Sequence, residues 1–156
     1  MNEKWKQDIP EYQIQQFQGL INKLYQCCQE RMQYQSERFH LPDAELRCLL
    51  LFGEERYLTA KGIALKMNVV KGRVTKIVSG LVKRGYITRI KDPEDSRVTL
   101  LALTPEGRKK LDEVADFQDY VHTEVLRQMG PEQRMTVLSH LETLKASLEA
   151  VKEYMV

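Results

Sequence analysis

The apolar residues change their spacing twice between residues 70 and 129, and this restricts the fold more than any other feature. Val74, Ile77, Val78 and Leu81 recur at i, i+3, i+4 and i+7, which puts them on one side of a helix over roughly 70–84. Gly85 is well suited to the position just past such a helix. Two strand-like runs follow, about 86–91 and 98–103, joined by the charged tip DPEDSR. Thr104 then predicts an N-cap with Pro105 at the first helical position. That helix runs to about Met129, where Gly130-Pro131 breaks it.

Upstream, residues 10–39 predict one long helix, with Ile14, Phe17, Ile21, Leu24 and Cys28 at steps of 3 and 4. Pro42, with Asp43 and Glu45 in the first turn, predicts a second helix that carries Leu46, Leu49, Leu50 and Phe52 and ends near Gly53. Thr59 is placed to cap a short third helix, AKGIALKM, ending near Asn68. A last helix is expected over about 131–154. Helix, helix, helix, strand, turn, strand is the order of a winged helix-turn-helix. The expected fold is therefore mainly α with a small β-wing, flanked by long N- and C-terminal helices.

Charge adds a direction to this outline. The net charge is only +2, yet residues 56–91 hold ten Lys and Arg and no Asp or Glu, so that block is +10 and the rest of the chain −8. A basic block in an otherwise acidic chain is the footprint of a polyanion-binding surface. On a helical wheel, the side of the fourth helix opposite its apolar stripe carries Gly72, Thr75, Lys76, Ser79 and Lys83, with Arg73 and Gly80 on one flank, and Lys71, Gly72, Arg73, Thr75, Lys76 and Ser79 are the candidate DNA contacts. Small residues permit close approach, hydroxyls donate to phosphates or base edges, and Lys and Arg suit guanine or phosphate. Gly72 and Gly80 each cost about 1 kcal/mol relative to Ala inside a helix, a cost expected on a face that needs close contact.

At 156 residues, 42% apolar and 29% charged, the chain has the length and composition of a soluble globular protein. Its first residues, MNEKWKQDIPEYQ, lack the apolar core of a secretory signal, and the longest apolar run, 48–52, is too short for a bilayer. A cytoplasmic protein is expected. Three cysteines, two of them adjacent, do not make a disulfide framework.

From Leu41 to Leu111 the chain resembles the MarR family of bacterial transcriptional regulators. The marks are LTAKGIALKMNV, then VTKIVSGLVKRGYITR, and above all DPEDSR followed by LALTPEGRKKL, in which Asp95, Arg97, Leu103, Thr104 and Gly107 match the family pattern. The resemblance implies a sequence-specific double-stranded DNA-binding regulator, acting as a ligand-responsive repressor on a pseudo-palindromic operator. It implies that Arg97 enters the minor groove from the wing and that Asp95 supports it rather than touching DNA. Three positions depart from the pattern: Val70 stands where Ser or Thr commonly caps the recognition helix, Gly62 where Glu is frequent, and Ser96 where a second wing arginine is frequent.

The chain ends suggest assembly. Val137, Leu141, Leu144, Leu148, Val151 and Met155 follow steps of 4, 3, 4, 3 and 4, an a/d seam, and the first helix has the same rhythm. Two such helices imply a homodimer, with Ile14, Phe17, Ile21, Leu141, Leu144, Leu148 and Val151 at its interface. The expected organisation is a dimerisation helix over 1–40, a DNA-binding domain over 41–104 and dimerisation helices over 105–156. Cys28 on the seam and Cys48 in CLLLF are expected to be buried; Tyr25, Tyr34, Tyr57 and Trp5 are expected in core or interface packing. A thiol-based redox sensor using Cys27 or Cys28 and a winged-helix module that binds protein are the alternatives. His40, His122 and His140 lack metal-ligand spacing, so no metal or other cofactor is expected. No nucleophile-base pair or phosphate loop is present, and an enzyme is not expected.

Overall fold

The computed structural model describes residues 8–155. Six helices and a hairpin follow one another as α1 Glu11–Phe39, α2 Asp43–Leu50, α3 Ala60–Met67, α4 Lys71–Lys83, β1 Ile87–Lys91, β2 Thr99–Leu103, α5 Pro105–Arg127 and α6 Pro131–Lys152, with a 3-10 turn at Glu153–Met155. Each expected element is present. The chain forms two compact units, Met1–Val114 and Ala115–Val156. None of the described helices is long and apolar enough to cross a membrane.

In the first unit the helix ends obey local chemistry. His40 closes α1 in the left-handed region (φ 53°), and Ser36 Oγ donates to the Leu41 carbonyl at 2.6 Å, fixing the corner into α2. Thr59 caps α3 by accepting from the Gly62 N–H at 3.1 Å, so the cap stands without a Glu at position 62. Asn68 ends α3 in the left-handed region, and Gly85 (φ 78°) follows α4, a conformation that glycine adopts without strain. Leu41, Leu46, Leu49, Phe52, Ile63, Val74, Leu81 and Ile87 form the buried core.

The hairpin is antiparallel, pairing Ile87 with Leu103, Arg89 with Leu101 and Lys91 with Thr99. Leu58 adds a piece of a third strand, exchanging two backbone hydrogen bonds with Leu101 at 2.9 and 2.7 Å. The start of α5 is anchored beneath it. Thr104 Oγ1 accepts from the Gly107 N–H at 3.0 Å and donates to the Gly85 carbonyl at 2.5 Å. Any side chain at Gly107 would collide with the Tyr86 backbone, which explains a glycine one turn into a helix.

In the second unit, Arg134 Nε donates to the Leu126 and Met129 carbonyls at 2.8 and 2.9 Å and closes the turn into α6. No residue of α6 is buried. Leu141, Leu148 and Val151 are each about half exposed, and Leu144 is half-buried. On α1, Phe17 is exposed, whereas Ile14 and Ile21 are half-buried.

Several expectations need correction. Cys28 is exposed, as is Cys27, so neither is a buried residue of this chain. Tyr25, Tyr34 and Tyr57 are exposed, so the core half of their expected core or interface packing does not hold. Trp5 lies outside the described residues. Cys48 is buried as expected, and its thiol is pushed up to about 12 by burial and then by the nearby Glu45 carboxylate, so it stays protonated.

Candidate nucleic-acid interface

The core sets the orientation of α4. Val74, Ile77, Val78 and Leu81 are all buried, so the opposite side must face solvent. Lys71, Gly72, Arg73, Thr75, Lys76 and Ser79 are all exposed, as the wheel predicts. An added Cβ at Gly72 would meet nothing within 4 Å, so this end of the helix is open to a large partner. Thr75 Oγ1 donates to the Lys71 carbonyl at 3.3 Å. Val70 occupies the N-cap and provides no side-chain bond, leaving the helix start without a local cap.

Gly80 has a different use from the one its composition suggests. A Cβ there would fall onto the Glu45 carboxylate. The residue is small to admit a side chain of α2, not to approach an external partner.

The wing tip is built around Asp95. Its Oδ1 accepts from the Arg97 backbone N–H and from Arg97 Nε, both at 3.1 Å, and its Oδ2 accepts from Arg97 Nη2 at 3.3 Å. The two oxygens thus hold the guanidinium in a bidentate pair. The Arg97 side chain is 88% exposed, so the pair orients the guanidinium without burying it. The hydrogen bonds from the Arg97 side chain and then its backbone hold the Asp95 carboxyl below its usual range. Asp92 Oδ1 accepts from the Glu94 N–H at 2.9 Å and tightens the turn.

One residue of this surface escaped the sequence reading. Arg89 on β1 is exposed and donates from Nη2 to Ser79 Oγ at 3.4 Å, joining hairpin to helix. Its place in the basic block was the available signal, but only the sheet register puts it beside Ser79. Conversely, part of the basic block is engaged elsewhere. Arg84 pairs with Glu45 at 2.7 Å, Lys66 with Glu55 at 3.3 Å, and Arg56 lies over the Tyr57 ring at 5.4 Å. What remains is a cationic, carboxylate-free helix face, bonded through Arg89 to a hairpin whose tip projects an oriented arginine.

Comparison with known proteins agrees with this geometry. Residues 41–99 match the MarR family model. The HTH-type transcriptional regulator YdgJ of Bacillus subtilis is 23% identical over 141 residues, covering 90% of this chain and 80% of that protein. Among solved structures, a MarR family protein from Bacillus stearothermophilus superposes with a TM-score of 0.79 at 18% identity, covering 90% of this chain and 99% of the other. Streptococcus pneumoniae FabT, solved in complex with DNA, superposes with a TM-score of 0.78 at 20% identity, covering 86% and 99%. The match over 41–99, the hairpin and the helical frame converge: residues 41–99 of this chain carry the MarR family pattern, and its fold is that of a solved MarR family protein.

Proposed function

We propose that the protein is a sequence-specific double-stranded DNA-binding transcriptional regulator that works in the cytoplasm as a homodimer. The observation that carries this reading is the exposed, carboxylate-free face of α4, joined through Arg89 to the hairpin that carries Arg97 held by Asp95. In it, the early residues of α4, Lys71 to Lys76, enter the major groove, Ser79 contacts the backbone, and Arg97 enters the adjacent minor groove. FabT was solved with DNA, and related proteins are named as HTH-type regulators, which fits this reading. Residues 41–104 carry the DNA-binding function, while 1–40 and 105–156 carry dimerisation. The exposed apolar seam of α6 and the exposed Phe17 and Leu24 of α1 support the second role. Two-fold symmetry then calls for half-sites about one helical turn apart.

We further assign it as a repressor relieved by a small molecule. A groove of 640 Å3 along α1 and the start of α2, lined by residues such as Gln29, Met32, Gln33 and Asp43, is large enough for such an effector.

The test is selection of duplexes from a random pool by the purified protein, followed by a salt titration on the winning sequence. A palindromic consensus and a steep fall of log affinity with log salt are expected. Failure to enrich any sequence would refute the reading. The exposure of Cys27 and Cys28 favours a second mode of control, by thiol oxidation. In that case peroxide weakens duplex binding by the wild type but not by the Cys27→Ser/Cys28→Ser variant, and an insensitive wild type would dispose of it.

A further inference from the structure

Arg84 belongs to the basic block by sequence, yet it points away from the surface assigned to DNA. Its Nε donates to Glu45 Oε2 at 2.7 Å, and its Nη1 donates to the His40 carbonyl at 3.3 Å. These partners lie 39 and 44 residues away, on α2 and on the left-handed residue that closes α1. Glu45 is largely buried, its side chain only 13% exposed, and its carboxylate occupies the space over Gly80 in the last turn of α4. One guanidinium thus ties three segments together: the end of α4, the body of α2 and the α1–α2 corner. Arg is suited to this because its planar fork reaches two acceptors at fixed angles, which a Lys ammonium does not reproduce. The glycine is the complementary half of the device, since only a residue without a side chain lets the carboxylate lie against the helix.

We propose that Glu45, Gly80 and Arg84 form a clamp that sets the angle at which α4 meets DNA, making Arg84 a positioning residue for sequence discrimination rather than a phosphate contact. The clamp also gives the end of the long α1 helix a direct hold on the recognition helix, so a displacement at the α1–α2 corner is passed to α4 through hydrogen bonds. This rests on the reading of α4 as the DNA-reading helix.

Electrostatics and positioning predict different outcomes for one substitution, the first in overall affinity and the second in the ratio between duplexes. Glu45→Gln removes a negative charge beside a basic surface, so general attraction for DNA should rise or stay level. A broken clamp instead lowers the ratio of affinity for the selected duplex over scrambled duplex, by roughly fivefold to tenfold. Arg84→Lys, which keeps the charge, should lower the same ratio similarly. In both, the slope of log affinity against log salt stays at the wild-type value, because no phosphate contact is lost.

Gly80→Ala separates positioning from stability. Alanine favours the helix, so the melting temperature should hold or rise, while the added methyl displaces Glu45 and discrimination falls. The full-length protein is titrated with the selected and scrambled duplexes over a salt series for these three variants and for Arg84→Ala. Lower ratios at unchanged slope support the clamp. An unchanged ratio in Gly80→Ala and Arg84→Lys overturns it, and so does a slope reduced by about one in Arg84→Ala, which would make Arg84 a phosphate contact. If the wild type itself selects no sequence, the DNA reading falls and the clamp with it, a result distinct from either variant outcome.

Discussion

Helices α4 and α6 are both amphipathic, and each leaves one face in solvent, but the faces are of opposite kinds. The α4 helix buries Val74, Ile77, Val78 and Leu81 within its own unit and exposes cations, hydroxyls and a glycine. In contrast, α6 buries nothing and exposes Leu141, Leu148 and Val151. A helix whose apolar stripe is already satisfied is free to offer its polar face to a charged partner. A helix whose stripe is unsatisfied must find apolar surface elsewhere, because tertiary packing rather than propensity supplies most helix stability. The two faces therefore call for different partners: a polyanion for α4, and a second apolar seam for α6.

Placing charge on the α6 seam should do the most damage. Leu144→Glu with Leu148→Glu removes two seam residues, each worth about 1.5–3 kcal/mol when fully buried, and adds like charges across the proposed two-fold interface. The expected outcome is a monomer or an unfolded C-terminal unit, seen as a halved sedimenting mass or loss of helical signal. A folded dimer of wild-type mass would remove the contrast between the two helices.

Next in size is Arg97→Ala. The Asp95 pair is exposed, so its loss should hardly move the melting temperature. Affinity for the selected duplex should fall roughly tenfold or more, a cost on the order of 1–3 kcal/mol. Lys76→Ala should have a smaller effect and a different signature. If Lys76 meets phosphate, affinity drops for all sequences alike and the salt slope falls by about one. If instead it reads a base, the slope holds and specificity relaxes at one position of the consensus.

How far these features could be read from sequence depended on the distance between the interacting residues. The caps Thr59 and Thr104, the stripe of α4 and the Asp95–Arg97 fork each involve residues two to seven apart, within reach of periodicity and turn chemistry. The Leu58–Leu101 bridge was missed because a single paired residue has no alternation to signal a strand. Gly80 was misread for a similar reason. A helical wheel shows that it flanks the polar face, but only the packing of α2 on α4 shows that Glu45 fills its space. Cys28 fails differently, since a place on a seam of steps 3 and 4 does not by itself bury a side chain.

The subtlest test concerns pH, and its sign follows from the fork. Asp95 is held below its ordinary value of 3.8 by the hydrogen bonds from Arg97. A carboxyl whose value is lower in the folded wing contributes to wing order above the unfolded value, and that contribution is lost as pH falls through the folded one. The wing should therefore keep its arginine oriented across the whole physiological range. The ratio of wild-type to Arg97→Ala affinity should stay flat from about pH 8 to about pH 5, well above the ordinary aspartate range. Asp95→Asn, which keeps one acceptor and removes the charge, should lower affinity by less than Arg97→Ala, because the arginine remains present but less well aimed. A ratio that declines steadily between pH 7 and pH 5 would mean that a group titrating higher, rather than Asp95, governs the wing. Equal losses in Asp95→Asn and Arg97→Ala would mean that the arginine contributes only when it is held, making the orientation of the guanidinium, more than its charge, the property this hairpin is built to supply.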